Sequence, residues 1–94
     1  MMSIKNFILE YSAFKIYIDN IKNKNKIEKI IDFLVHKFNY KVYKDKLNCW
    51  YVSLFYITEK NVKYYNLERF QLINENEFIE NYSKTFNIIK NIEY

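Results

Sequence analysis

The chain has 94 residues, 50% apolar and 20% aromatic, with a formal net charge of +4 in which fourteen of the fifteen basic residues are lysine. Such a composition describes one globular domain over residues 1–94, near the smallest size that buries enough surface to fold alone, and excludes a disordered chain. There is no glycine and no proline, so Gly-rich phosphate loops of the Walker or dinucleotide type are excluded and every tight turn falls to other residues, asparagine above all.

Residues 1–21 carry two overlapping patterns. Ile4, Phe7, Tyr11, Phe14, Ile18 and Ile21 keep a helical spacing, while Phe14, Ile16 and Ile18 alternate like a strand. The preferred reading is a short helix over 3–11 and a strand over 13–19. Its rival is one long helix, whose heptad-like seam would favour a homodimer. The segment NKNKIEKIIDFLVHKFN places Ile27, Ile30, Ile31, Leu34, Val35 and Phe38 on one stripe, which predicts an amphipathic helix capped by Asn23 or Asn25 and ended by Asn39 in place of glycine.

YKVYK and CWYVSLFYI read as strands joined by DKLN, a four-residue hairpin loop, and VKYYNLERF after the break at 59–61 reads as a third strand of an antiparallel meander. The segment NENEFIENYSKTFNIIKNI predicts a second long helix, with Phe78, Ile79, Tyr82, Phe86, Ile89 and Ile92 on its apolar stripe and Asn74 and Glu77 as a capping box. The expected fold is α+β: an antiparallel sheet of three strands, or four with the N-terminal one, packed against two or three helices. From residue 26 the order helix, three strands, helix resembles the double-stranded RNA-binding domain in topology alone. That family carries a Gly-containing strand loop and a Lys-rich start to its last helix, where this chain has no glycine and the acidic run NENEF, and membership is not assigned.

An even hairpin loop places Lys41, Tyr43, Trp50, Val52, Leu54 and Tyr56 on one sheet face and Tyr40, Val42, Lys44, Cys49, Tyr51, Ser53, Phe55 and Ile57 on the other. Neither face is polar throughout, so CWYVSLFYI is expected to be a central strand covered at least partly on both sides. Rings left uncovered, Tyr43, Trp50 and Tyr56 on one face or Tyr51 and Phe55 on the other, are the candidates for contact with a partner. A ring-rich face is also a route to a homodimer.

The single cysteine, Cys49, excludes an intrachain disulfide and multi-cysteine zinc sites and fits a reduced, cytoplasmic setting. The apolar run Phe7, Ile8, Leu9 is too short for a signal-peptide core, and no stretch is long enough for a membrane span. His36, the only histidine, with Asp32 one turn earlier and Cys49, would be the minimum for a thiol nucleophile with its base. A surface i, i+4 pair explains Asp32 and His36 without chemistry. The carboxylates Glu75, Glu77 and Glu80 scatter around a helix whose dipole they suit. No catalytic residue, metal or cofactor is expected.

Residues 1–46 hold ten lysines against five acids, and Lys22, Lys24, Lys26 and Lys29 concentrate that charge. The richness in Asn, Ile, Lys and Tyr looks like translated AT-rich DNA from a phage, virus or AT-rich microbe. A small, motif-free, AT-biased chain is similar in general character to anti-CRISPR and other anti-defence proteins. The expectation is therefore a non-enzymatic inhibitor of a host protein, such as a nucleic-acid-handling effector complex, acting in the cytoplasm and not at a membrane. The alternative is a nucleic-acid-binding protein using Lys22, Lys24, Lys26, Lys29 and exposed tyrosines.

Overall fold

The computed structural model describes residues 2–19 and 21–93, and their side chains except those of 65–68 and 87–93. In chain order it contains α1 (Ile4–Glu10), β1 (Ala13–Tyr17), α2 (Lys24–Phe38), β2 (Lys41–Lys44), β3 (Cys49–Ser53), α3 (Glu59–Arg69), β4 (Gln71–Leu72) and α4 (Glu75–Glu93). The N-terminal segment splits into a short helix and a strand, so no continuous heptad seam is built. The helix starts are written in side chains: Ser3 Oγ accepts the Asn6 N–H at 3.1 Å, and Asn74 Oδ1 accepts the Glu77 N–H at 3.1 Å, one half of the expected capping box. Asn39 ends α2 in the left-handed region at φ 60°, the role a glycine usually fills.

The β2–β3 hairpin corrects the expected pairing by one residue. Asn48 also takes a left-handed conformation, at φ 58°. The Asp45 N–H donates to the Cys49 carbonyl at 3.1 Å, so Asp45 and Cys49 close a loop of odd length. A turn followed by one left-handed residue is the ordinary form of a three-residue hairpin loop. Tyr43 therefore lies opposite Tyr51, and Val42 opposite Val52. Tyr43 shares a face with Cys49, Tyr51 and Ser53, and no longer with Trp50 and Val52.

The third strand is also reassigned. VKYYNLERF lies within α3, except for Phe70, and the strand beside β3 is β1. Thr58 caps α3 by accepting the Asn61 N–H at 3.2 Å, and Glu59 pairs with Lys63 at 2.9 Å one turn apart. These local bonds outweigh the strand preference of the aromatic residues. The sheet order is β2-β3-β1-β4, antiparallel except for the short parallel pair of β1 with β4, so the α+β class stands with a mixed four-stranded sheet and four helices.

The sheet has a core on each side. On one side Phe14, Ile16 and Val52 meet Phe7 of α1, Ile27, Ile30, Ile31 and Leu34 of α2, and Phe78 and Phe86 of α4. Phe7 lies 5.0 Å from Phe86, and Phe78 lies 5.0 Å from Phe14, an aromatic cluster joining α1, β1 and α4. Of the expected α4 stripe, Ile79 and Tyr82 are half-buried against this core, and Ile89 and Ile92 lie outside the described side chains. On the other side Cys49, Tyr51, Val62 and Phe70 form a smaller cluster under α3. β3 is thus central and covered on both faces, as expected.

Phe78 is fully buried and Leu9 is 65% exposed, so Phe78→Ala is expected to cost about 3–5 kcal/mol and Leu9→Ala less than about 0.5 kcal/mol in denaturant unfolding. Tyr40 is buried, its hydroxyl donates to the Tyr11 carbonyl at 2.9 Å, and burial raises its pKa from 10.0 to about 12. An unfolded tyrosine loses its proton near pH 10.0 while the folded one keeps it, so this contribution is intact below that pH and is lost as the pH rises toward about 12. Urea midpoints measured up this range should fall. Tyr40→Phe should lower stability by about 1–2 kcal/mol at neutral pH and flatten the alkaline slope.

Candidate functional site

A concavity lies at the end of the sheet where β3 finishes and β1 begins. Ser53 pairs with Ala13 there, and the Leu54 N–H donates to the Ser12 carbonyl at 2.9 Å. Ser53 Oγ then accepts the Phe55 N–H at 2.9 Å, a short-range bond that turns the chain out of the sheet. Just beyond that turn, Phe55 is 61% exposed and Tyr56 79% exposed. α3 returns to the same end, bringing Arg69 and the buried Phe70 beside Ser12 and Ala13.

Between these parts is a cleft of about 420 Å³. Ser12, Ser53, Asn61 and Arg69 supply its polar lining, and Ala13, Phe55, Tyr56 and Phe70 its apolar lining. Among the described residues no carboxylate lines it, and Arg69 is its charged group.

The partner candidates read from the sequence are dispersed. Tyr51 is buried edge-on against Phe70, with ring centres 5.2 Å apart. Trp50 is half-buried against the larger core, and the Lys44 ammonium sits 4.1 Å from its ring centre. Tyr43 packs on the smaller cluster and lines a second cleft, of about 460 Å³, with Lys44, Asp45, Lys46 and the Glu59–Lys63 ion pair. That cleft carries both signs of charge. Phe55 and Tyr56, expected on opposite faces, come together in the turn after β3 and line one cleft.

Lys22, Lys24, Lys26 and Lys29 are all exposed around the start of α2. They follow the far end of β1, whereas the Phe55 and Tyr56 cleft adjoins its beginning. The five-residue strand β1 lies between the two. Basic segment and exposed ring pair therefore do not form one surface.

Cys49 is buried in the cluster under α3, while His36 is exposed on α2, the helix packed on the opposite side of the sheet. Burial pushes the Cys49 thiol above its ordinary pKa, and a hydrogen bond with Tyr51 acts more weakly the other way. The sheet thus separates the candidate nucleophile from its candidate base. Among the described residues no group of three or more His, Cys, Asp or Glu side chains could hold a metal ion, and no helix is long and apolar enough to cross a membrane.

Sequence reasoning missed Ser12, Ser53, Asn61 and Arg69 as site residues. The register that sets Ala13 against Ser53 and the return of α3 bring them together, and neither leaves a local motif. The one readable signal is Thr58 three residues before Asn61, a helix cap. No family of known proteins, no curated protein and no solved structure matches the chain.

The Cys49 thiol should react with an aromatic disulfide reagent orders of magnitude more slowly in the native protein than in denaturant. His36→Ala should leave the native rate unchanged; a fast native reaction that falls in this variant would show that thiol and imidazole do meet.

Proposed function

We propose that this chain is a small non-enzymatic binding protein that engages a partner protein through Phe55 and Tyr56 at the mouth of the cleft beside Arg69. One observation carries the reading: two adjacent large rings stand mostly in solvent, beyond a turn that Ser53 holds by a hydrogen bond, while Tyr51 in the same strand segment is buried. Exposing such rings forgoes about 1.5–3 kcal/mol of burial each, and aromatic side chains next to an arginine are the usual composition of a binding hot spot.

The AT-biased, compact chain supports an origin in a phage or mobile element. Its role there is inhibition of a host protein in the cytoplasm, in the general manner of anti-defence proteins, with a nucleic-acid-handling effector as the favoured target. A second reading, direct contact with nucleic acid, has one observation in its favour: Lys22, Lys24, Lys26 and Lys29 are exposed and make no ion pair among the described residues. It ranks second because the exposed ring pair lies at the other end of the sheet.

The test is retention of a host protein by the immobilised chain and by the Phe55→Ala/Tyr56→Ala variant. The wild type should hold one partner stoichiometrically, and the variant should bind it about thirtyfold or more weakly while unfolding within about 0.5 kcal/mol of the wild type. Retention unaffected by the double substitution would remove the ring pair from the interface. A complex that dissolves on nuclease treatment, or binding to DNA or RNA that falls steeply with salt, would move the assignment to the second reading.

A further inference from the structure

Resting on the reading of this cleft as the partner's seat, we infer that it receives a carboxylate of the partner, an Asp or Glu side chain flanked by apolar residues. The polar lining is rich in uncommitted hydrogen-bonding groups. Ser53 is only 3% exposed and spends its oxygen on the Phe55 N–H, and its own O–H proton has no acceptor among the described residues. Neither the Ser12 hydroxyl nor the Asn61 carboxamide makes a hydrogen bond among the described residues. Three side chains able to donate thus converge with the Arg69 guanidinium on one cleft that no carboxylate lines among the described residues. A buried donor with no acceptor is costly, and an incoming anion removes that cost.

The last-turn position of Arg69 suits the α3 dipole, but the dipole does not explain the converging hydroxyls and amide. A guanidinium carries five N–H donors, so Arg69 can keep a contact within the chain and still present a fork to two oxygens. A carboxylate suits this lining better than a phosphate. Among the described residues the cleft offers one cation, and the Asn61 backbone N–H, in the first turn of α3, is already spent on Thr58. Phosphate sites more often join several cations or open backbone N–H groups. The rims Phe55 and Tyr56 would cover apolar neighbours of the acid, and the net charge of +4 draws an acidic surface toward the chain.

Panning a random-peptide display library against the intact protein tests this directly. The expected winners carry one Asp or Glu next to apolar or aromatic residues. A selected peptide should lose about tenfold or more in affinity against Arg69→Gln, with smaller losses for Arg69→Lys and Asn61→Ala, and should lose as much when its acid is replaced by the amide. Winners that lack an acid and depend on Tyr56 but not on Arg69 would overturn the carboxylate assignment and leave protein binding at the cleft intact. Peptide binding indifferent to both Tyr56 and Arg69, or no enriched peptide at all, would overturn the assignment together with the reading of the cleft as a protein site. Adenosine monophosphate or a short oligothymidylate displacing the peptide in an Arg69-dependent way would overturn it in favour of phosphate.

Discussion

The arrangement of the sheet depends on a few hydrogen bonds at the tip of its hairpin. The Asp45 carboxylate accepts the N–H groups of Leu47 and Cys49 at 2.8 and 2.9 Å, and Asn48 between them turns left-handed, with its amide held 2.6 Å from Asp19. A non-glycine residue pays about 1–2 kcal/mol for that conformation, least when it is asparagine. The bonds to Asp45 and Asp19 offset the cost. Because strand side chains alternate, closing the loop one residue differently would exchange the faces of Tyr43, on β2, relative to the rings of β3.

With the register fixed, the rings sort by what covers each face. Phe7, Phe14, Phe78 and Phe86 fill the side under α1, α2 and α4, and Tyr51 with Phe70 fills the side under α3. Cys49 is carried into the second cluster, away from His36. Phe55 and Tyr56 escape because the strand ends at Ser53, before either core can take them.

The parts legible in the sequence were those whose signal is local and periodic. α2 and the described part of α4 follow from stripes such as Ile27, Ile30, Ile31 and Leu34, and their ends from Asn39 and Asn74. α3 was not legible as a helix because no apolar stripe marks its sequence, and its Tyr pair imitates a strand. The hairpin parity failed because a left-handed asparagine closes the loop over three residues in place of the four that its composition suggests. Phe55 and Tyr56 could be nominated from their residue type. The polar wall behind them could not, since residues 12, 53, 61 and 69 meet only through tertiary structure.

β4 is only two residues long, and its Gln71 and Leu72 pair with Phe14 and Lys15 across most of the chain. Contacts of such sequence separation pay a large loop-closure entropy and contribute to slow folding. The same short ladder places Arg69 and Phe70 against Ser12 and Ala13, so the cleft has no counterpart in an isolated hairpin or helix pair. The two-residue strand thus joins the two walls of the recess.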